Sequence, residues 1–453
     1  MNADGSATAL AVRTNRASTG GLSRIALVNT HDLMGGAERC SYDLHTAFRQ
    51  RGYQTHLIVG GKYGTDADVF KIPFKPYEWK VAGFLREHVG LTEVFHPTPL
   101  LGCFRWPFLR DAQVVNIHNM HGQFWNVLTL LPLATTRPLV LTLHDEYNLT
   151  GDCCYTQDCE RWRRTCGRCP RVKLAGPARY AIGGRDLTRV NILIKRAVFR
   201  WPKRHPVVLV SPSEWLANRT RESPNLRHLP VQCIPNGIDL GFWKPMDQIE
   251  ARKRWNLPLT GRMALFTAAN LDDPRKGGEV LLTAIRELPR TCRMHFVLAG
   301  KLDERVKHLI QGLPVTTLGH IADKAGMVQL YAAADFTIVA SQADNLPYTC
   351  LESMACGRPV LGSDAGGIPE MIRDSHMGWR TPCPLRASAI CRTLREIATL
   401  PSSRQREMRA ACRRFIETRF STDHMVDRYL LLFHQLHERA AERRRLPSTE
   451  EGI

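Results

Sequence analysis

Short runs of β-branched and aliphatic residues alternate along the chain with longer segments of helical periodicity. In the first half, four apolar runs have the length of strands, at 24–29, 55–60, 114–119 and 139–144. Between the first two, residues 37–52 place apolar side chains at helical spacing and end at a glycine. Strands that alternate with helices form parallel sheets covered on both faces. This half is therefore predicted to be a doubly wound α/β domain.

The second half repeats this rhythm after a stretch at 235–259 that carries proline and tryptophan. Its predicted strands lie at 264–270, 295–300, 315–319, 336–341 and 359–363, and its predicted helices near 277–288, 303–312, 323–334 and 349–356. We therefore expect an α/β protein with two Rossmann-like domains that face a cleft. The predicted units are a disordered tail at 1–21, a first domain at 22–240, a second domain at 241–420, a closing helix at 421–445 and a tail at 446–453.

The segment from Ser421 begins with Ser, Thr and Asp, residues that cap helices. One face of the helix that it predicts carries large apolar side chains, at Met425, Tyr429, Leu432, Phe433 and Leu436. We expect this stripe to dock the helix on the body of the protein.

The composition is that of a globular protein, with 43% hydrophobic and 23% charged residues among 453. The formal charge of +19 leaves nucleic acid, an anionic membrane face and phosphate-bearing substrates as candidate partners. No apolar stretch reaches the roughly 18–20 residues that a membrane span needs. We therefore predict a cytoplasmic protein, at most peripheral on the inner face of the plasma membrane.

In each half, a loop that contains glycines follows the first predicted strand. Gly35 and Gly36 come directly after the first strand and before a helix, where close backbone approach and free N–H groups suit an anion. Arg275 and Lys276 precede a second pair of glycines after the strand at 264–270. Two cations at the mouth of a parallel sheet favour a pyrophosphate. A tight turn and a polar loop without ligand are the alternatives.

Two acids eight residues apart follow the strand at 336–341. Asp344 lies in the loop after that strand, and Glu352 lies about two turns into the next helix. A ligand long enough to offer hydroxyls to both, such as a nucleotide linked to a sugar, fits this spacing.

At this point the sequence resembles a known family, the retaining glycosyltransferases of family four, which have the GT-B fold. The stretch from Glu352 to Val360 is similar to the family's second Glu and the small-Met-Ala-Cys-Gly-x-Pro-Val segment after it. Further matching segments follow the family's order, at 35–38, 144–145, 235–239, 275–277 and 364–370. The ordered set covers roughly residues 24–440.

The resemblance implies that His144, Asp344 and Lys276 are catalytic. It also implies a donor-binding set of Gly35, Gly36, Asn270, Arg275, Lys276, Asp344, Asn345, Leu346 and Glu352. In this set Glu352 would hold the ribose and Lys276 the pyrophosphate. Asp344 stands where the family usually has Glu, and Asn270 where many members have Arg. We hypothesise that Arg275 supplies the missing charge.

The resemblance implies transfer of a sugar, with retention, from a UDP- or GDP-linked donor to a glycan or lipid-linked acceptor of a surface polysaccharide or exopolysaccharide. Fixed cations stabilise a departing diphosphate, so no metal is expected to be required for catalysis. A nucleotide-sugar epimerase of the same fold is the enzymatic alternative. A basic nucleic-acid-binding protein is the other alternative. The ordered motifs of the cleft disfavour it, and no nucleic acid is expected as a partner.

On the acceptor side of the cleft we place His118, His121 and Asp145, which follow two predicted strands. Ordinary polar loop residues are the alternative for the histidines, and a structural role is the alternative for Asp145.

Five cysteines crowd the segment 152–170 after His144 and Asp145. Cys166 and Cys169 have the spacing of a zinc knuckle, and Cys153 or Cys154 with Cys159 would complete a tetrahedral structural zinc site. A subset of the family looks similar here. Reduced thiols or a disulfide are the alternatives.

The segment 160–204 concentrates the positive charge, with fourteen Lys or Arg against two acids. One predicted helical face there is apolar, at Leu187, Val190, Ile194, Val198 and Trp201, while Lys195, Arg196 and Arg200 lie off it. Such a helix can lie on an anionic membrane, or it can pack its apolar stripe on the sheet and leave a solvated basic rim.

Overall fold

The structure is a computed structural model that describes residues 21–170 and 186–445. The predicted tails at 1–21 and 446–453 lie outside these residues, apart from Gly21. The part of the basic segment between 171 and 185 is likewise outside them.

The first domain is built on a sheet of seven parallel strands. These are β1 Arg24–His31, β2 Gln54–Gly61, β3 Val69–Lys71, β4 Val114–Ile117, β5 Leu139–Thr142, β6 Val207–Ser211 and β7 Val231–Cys233. Their order in the sheet is β3-β2-β1-β4-β5-β6-β7. Every residue of β4, β5 and β6 is buried, as expected for central strands covered on both faces.

Within the described part of this domain, seven α-helices connect or flank the strands. They are α1 Gly36–Gln50, α2 Pro76–Phe84, α3 Pro97–Arg105, α4 Pro107–Arg110, α5 Leu130–Thr136, α6 Thr188–Arg200 and α7 Glu214–Glu222.

The second domain has six parallel strands in the order β10-β9-β8-β11-β12-β13. The strands are β8 Arg262–Asn270, β9 Met294–Lys301, β10 Val315–Thr317, β11 Phe336–Val339, β12 Val360–Ser363 and β13 Gly378–Thr381. The helices are α8 Gln248–Arg254, α9 Gly278–Arg286, α10 Glu304–Leu309, α11 Lys324–Ala333, α12 Tyr348–Ala355, α13 Ile368–Met371, α14 Ala387–Ala398, α15 Ser402–Arg419 and α16 Thr422–Arg445.

In both sheets the order reverses beside the first strand of the domain, β1 or β8. At such a switch point the loops that follow neighbouring strands diverge and leave a crevice at the carboxyl ends of the strands. The two crevices face each other across the cleft. The predicted fold class, two doubly wound Rossmann-like domains in the GT-B arrangement, is confirmed.

The long helix α16 leaves the second domain and packs on the first. All five residues of its predicted apolar stripe are buried, and they share a core with Leu44 and Phe48 of α1. The chain thus passes between the domains twice. The two passages lie side by side, because the amide of Ile238 donates to Phe420 O and the amide of Thr422 donates to Ile238 O. A β-carbon on Gly237 would lie 2.7 Å from Thr422 Cα, so this contact requires glycine.

Among the helices described by the structure, none combines the length and the apolar character needed to cross a lipid bilayer.

Candidate functional site

A cavity of about 540 Å³ lies between the two domains, at the carboxyl ends of both sheets. The loops after β1, β4 and β5 line one wall, and the loops after β8 and β11 line the other. Seven residues predicted to form the site lie in its walls: Gly36, His144, Arg275, Lys276, Asp344, Asn345 and Leu346. His121 and Asp145 of the predicted acceptor side also line it.

The second-domain wall is a cluster of opposite charges. Lys276 Nζ lies 2.6 Å from Asp344 Oδ2, and Arg275 Nη1 lies 3.6 Å from the same oxygen. The two cations reach Asp344 because Gly277, with φ +72°, turns the chain directly after them. A β-carbon at Gly277 would lie 2.0 Å from Ala340 O, so any other residue would push this loop away.

The carboxyl group of Asp344 is held ionised. Burial by itself raises the pKa of Asp344, but Lys276 and Arg275 together bring the pKa below its ordinary value. The guanidinium group of Arg275 also lies 4.8 Å from the ring centre of Tyr155 in the first domain. The cation that we expected to compensate for Asn270 therefore reaches the cleft. Asn270 itself is not among the cavity-lining residues.

Asn345 joins the two walls. Its side-chain Nδ2 donates to the carbonyl oxygen of His144 at 3.1 Å, and its Oδ1 accepts a bond from the hydroxyl of Ser213. Glu370, in the segment that resembles the family's Gly-Gly-x-x-Glu, also crosses between the domains. Its carboxylate accepts the amides of Glu214 and Trp215 at the start of α7.

The first-domain wall presents a neutral histidine beside an ion pair. Burial lowers the pKa of His144 to about 4, so its ring is uncharged at neutral pH. His118 lies behind it, with Nδ1 2.9 Å from His144 Nε2, and does not line the cavity. His121 Nε2 lies 2.8 Å from Asp145 Oδ2. Burial lowers the pKa of His121, but Cys154 and Asp145 raise it well above its ordinary value.

The second acid of the pair, Glu352, lies outside the cavity lining and is engaged by the first domain. It forms an ion pair with Arg39 of α1, and it accepts a bond from the Tyr331 hydroxyl at 2.8 Å. The guanidinium of Arg39 lies between the rings of Trp243 and Tyr348, 5.0 and 4.7 Å from their centres. Arg39 thus binds the carboxylate that we expected to hold a ribose.

The glycines after β1 bring the first domain close to Tyr348. A β-carbon on Gly36 would lie 3.1 Å from Tyr348 Cδ2. Gly35 does not line the cavity but begins α1 with φ +94°. These positions agree with a loop that closes on the second domain.

Sequence reasoning missed several residues of the first-domain wall, among them Arg86, Glu93, Asp152 and Tyr155. Glu93 is the most unusual, since it is buried and has φ +54°. Its Oε1 accepts the amides of Gly122 and Gln123, at 3.1 and 2.9 Å, while Oε2 has no hydrogen-bond partner among the described residues. No motif in the sequence marks this residue, which stands between Thr92 and Val94.

The four cysteines of the predicted zinc site line one small cavity beside the cleft. Within the described residues, no three of the sulfurs of Cys153, Cys159, Cys166 and Cys169 all lie within 4.8 Å of one another. Cys154 instead points to the cleft, where its sulfur lies 4.0 Å from His121 Nε2.

The basic helix α6 is amphipathic, but its buried face differs from the predicted one. Lys195 is buried and donates to the carbonyl oxygens of Tyr147 and Thr150, whereas Val190 and Trp201 are exposed. The prediction was wrong for Lys195, because the carbonyl oxygens of Tyr147 and Thr150 bind its ammonium group, and for Val190 and Trp201, whereas Val198 is buried as predicted.

Comparisons with known proteins agree with this geometry. A family model described as "Glycosyltransferase Family 4" matches residues 34–242, and one described as "Glycosyl transferases group 1" matches residues 262–398. The chain is 23% identical over 366 residues to a putative colanic acid biosynthesis glycosyl transferase, WcaC, of Escherichia coli K12. That match covers 75% of this chain and 83% of WcaC.

A shorter match, at 29% identity over 163 residues, relates the chain to the D-inositol 3-phosphate glycosyltransferase of Acidothermus cellulolyticus. It covers 33% of this chain and 36% of that enzyme, so it spans about a third of either protein. It therefore carries no conclusion about the activity of the whole chain.

Two solved structures show the same fold. Sucrose-phosphate synthase from Thermosynechococcus elongatus superposes with a TM-score of 0.68 at 18% identity, over 92% of this chain and 100% of that one. Anabaena HepE in complex with UDP-glucose superposes with a TM-score of 0.61 at 16% identity, over 92% and 99%. At these identities the likeness concerns the fold.

Proposed function

Because the chain belongs to the family-four glycosyltransferases and has the GT-B fold, we propose that it moves a hexose from a nucleoside-diphosphate sugar to a glycan or lipid-linked acceptor during synthesis of a surface polysaccharide. The observation that carries this proposal is the cluster of Arg275, Lys276 and Asp344 facing His144 across the cleft. WcaC, the relative that spans most of the chain, is named for colanic acid biosynthesis.

The charges of the second domain suit departure of a diphosphate. When the bond between the sugar and the diphosphate breaks, negative charge grows on the phosphate oxygens. Arg275 and Lys276 are already held in place by Asp344, so they stabilise that charge without reorganising. Asp344 and the backbone that follows it would then grip the sugar. Retention of the anomeric configuration remains the expectation from the family.

The donor is expected to carry uridine or guanosine diphosphate. HepE, which shares the fold, is described in complex with UDP-glucose, and this favours a UDP-linked donor. A thermal-shift panel of UDP- and GDP-sugars tests the proposal. We expect stabilisation by at least one of them, and loss of that shift in Lys276→Ala. The matched control is Lys253→Ala, which removes an exposed lysine paired with Glu250 outside the cleft.

A shift that persists in Lys276→Ala would contradict our placement of the diphosphate. Absence of any shift and of sugar transfer across the panel would contradict the proposed function itself.

For the acceptor side we propose the paired His121 and Asp145, which line the first-domain wall. Both groups are charged and only partly buried, so a polar group of the acceptor is a natural partner for them. Asp145→Asn should raise the KM for acceptor more than the KM for donor. The reverse pattern would place the acceptor elsewhere.

We also propose that Cys153, Cys159, Cys166 and Cys169 hold a structural zinc ion. They line one cavity, and the turn at Cys166, Gly167 and Arg168 has three consecutive positive φ angles, as a tight knuckle requires. Zinc, with bonds of about 2.3 Å to sulfur, would draw the four sulfurs together. Elemental analysis should find about one zinc per chain, lost in Cys166→Ser but kept in Cys292→Ser. Absence of zinc from the wild-type protein in this measurement would contradict the proposal.

A peripheral association with an anionic membrane is proposed for the outer face of α6. Leu193 and Trp201 are exposed there beside Arg189 and Arg200. Apolar side chains among arginines suit insertion between anionic headgroups. Co-sedimentation with phosphatidylglycerol vesicles should exceed that with phosphatidylcholine vesicles and should fall in Trp201→Ala but not in Leu259→Ala. Equal sedimentation with both vesicles would contradict a charge-dependent association.

A further inference from the structure

Behind His144 a continuous row of hydrogen bonds runs through the core of the first domain. The hydroxyl of Tyr429 lies 3.0 Å from Thr142 Oγ1, which donates to Asn116 Oδ1 at 3.0 Å. Asn116 Nδ2 lies 3.1 Å from His118 Nε2, and His118 Nδ1 lies 2.9 Å from His144 Nε2. The first four residues of the row are buried, with exposures of 0 to 2%.

The row exists because β4 and β5 are neighbours in the parallel sheet. Asn116 and His118 are two residues apart at the end of β4, and Thr142 and His144 are two residues apart at the end of β5. Residues two apart point to the same face of a sheet, so the four side chains form two adjacent pairs on one face. The helix α16 covers that face and brings in Tyr429.

The direction of each bond follows from the number of protons available. The single proton of the Thr142 hydroxyl goes to Asn116 Oδ1, so Thr142 must accept the proton of Tyr429. The amide nitrogen of Asn116 can only donate, so His118 Nε2 accepts. A neutral His118 then has its proton on Nδ1 and donates to His144 Nε2.

Both histidines are neutral at physiological pH. Burial lowers the pKa of His118 well below its ordinary value and that of His144 to about 4. Cys40 of α1, whose sulfur lies within 4.8 Å of both rings, is also neutral, because burial raises the pKa of its thiol. The ring centres of the two histidines lie 5.1 Å apart and their planes are inclined by 18°. Because Nε2 of the neutral His144 ring accepts the bond from His118, the single ring N–H proton of His144 is on Nδ1.

We propose that Asn116 and His118 are positioning residues that hold His144 in the Nδ1–H tautomer, so that this ring donates a hydrogen bond to an oxygen of the sugar substrate in the cleft. The identity of that substrate rests on the proposed function. With Nε2 occupied by His118, His144 has no free lone pair on a ring nitrogen. It therefore acts as a hydrogen-bond donor and not as a general base.

The variant Asn116→Asp should reverse the direction of the hydrogen bonds from residue 116 to His144. A carboxylate in this position only accepts, so His118 must donate from Nε2, accept at Nδ1, and receive the proton of His144 Nε2. His144 would then offer an acceptor to the cleft. In 15N-histidine-labelled protein without substrate, we expect wild-type His144 as the Nδ1–H tautomer and the variant as the Nε2–H tautomer. The His144 signal is assigned by its absence in His144→Asn.

The same variant should lower kcat about 100-fold, as loss of a hydrogen-bond donor to the transition state does, while the donor-induced thermal shift is retained. Tyr429→Phe is the matched control, because Thr142 still donates to Asn116 without the tyrosine hydroxyl. We expect an unchanged tautomer and kcat within about threefold of wild type. If Asn116→Asp does not fold, Thr142→Val replaces it. Without the Thr142 hydroxyl, the side-chain amide of Asn116 can rotate and exchange the positions of its oxygen and nitrogen. The NMR signal of His144 should then show both tautomers.

An Nε2–H tautomer in wild-type protein, or a reversed tautomer in Tyr429→Phe, would overturn the inference. So would an Asn116→Asp variant with unchanged tautomer and kcat. The tautomer is measured without substrate, so its result is independent of the proposed function. An Nδ1–H tautomer in a protein that transfers no sugar would leave the row of hydrogen bonds intact and would contradict the proposed function alone.

Discussion

The two walls of the cleft differ in how they carry charge. The second-domain wall keeps ions in place, since Arg275 and Lys276 surround an ionised Asp344. The first-domain wall combines one ion pair, His121 and Asp145, with uncharged groups, since His144 is neutral and Glu93 keeps its proton up to a pH of about 7. Two cations are therefore held where a diphosphate would leave, and the wall opposite offers uncharged hydrogen-bonding groups beside its ion pair. The following predictions test this division.

The largest effect is expected from removing both cations of the second-domain wall. The double variant Arg275→Ala/Lys276→Ala should lower kcat by about 10³-fold or more, because charge on the leaving group is no longer stabilised. Each single variant should lose about 10²-fold, with losses that do not add because both cations share Asp344. Steady-state kinetics with the donor found in the thermal-shift panel measure this. A single Arg275→Ala variant with unchanged turnover would show that Arg275 does not compensate for Asn270.

The next effect concerns the proton on Glu93. Burial is the main reason that the pKa of Glu93 rises from 4.5 to about 7 in the folded protein. The folded state therefore binds this proton more tightly than the unfolded state, and the resulting stabilisation is complete below pH 4.5. It is lost as the pH rises to 7, by about 3 kcal/mol in total.

Glu93→Gln removes this dependence, since Gln is neutral and its oxygen can accept the two amides that Glu93 Oε1 accepts. In urea unfolding, the variant should equal wild type near pH 4.5 and exceed it in stability at pH 8. Glu304→Gln, at an exposed position, serves as the control. A difference from wild type that is the same at both pH values would contradict an ionisation effect.

A smaller effect is expected for the ion pair of Arg39 and Glu352, which joins the two domains outside the cavity lining. A double-mutant cycle with Arg39→Ala and Glu352→Ala should give a coupling energy of about 1 to 2 kcal/mol in unfolding, because both side chains are mostly buried. In the presence of donor the coupling should fall if a ribose takes Glu352 from Arg39. Coupling that is unaffected by a saturating donor would mean that Glu352 has a structural role only.

The smallest effect lies outside the cleft, where Arg51, the residue directly after α1, pairs with Asp427 of α16. The side chains are 29% and 63% exposed, so Asp427→Asn should cost less than about 1 kcal/mol in urea unfolding. It should also leave kcat unchanged. A larger loss would indicate that α16 depends on this pair as well as on its apolar stripe.

The sequence predicted the second-domain wall better than the first. Asp344 and Lys276 lie in the loops that follow β11 and β8, and residues at the carboxyl ends of parallel strands meet at one edge of a sheet. The apolar stripe of α16 was predicted for a similar reason, because a helical face depends only on spacing. The motifs of the family then supplied roles that spacing alone does not.

The features that the sequence did not predict depend on contacts between segments that are far apart in the chain. Arg39 and Glu352 are 313 positions apart, and nothing local to either indicates an ion pair. Lys195 lies on the buried face of α6 because the carbonyl oxygens of Tyr147 and Thr150, more than forty residues earlier, bind its ammonium group. Glu93 likewise depends on the amides of Gly122 and Gln123. Periodicity treats such charged residues as exposed, and this is why the prediction for α6 was wrong at Lys195.

The paired passages of the chain at Ile238 and Ser421 also have a mechanical consequence. Two strands of backbone joined by a single bridge form a narrow flexure, which resists separation and shear far more than bending. Both covalent connections between the domains therefore lie at one place, beside Gly237 and Thr422. Opening of the cleft would have to break the non-covalent contacts between the domains, such as Asn345 to His144 and Arg39 to Glu352.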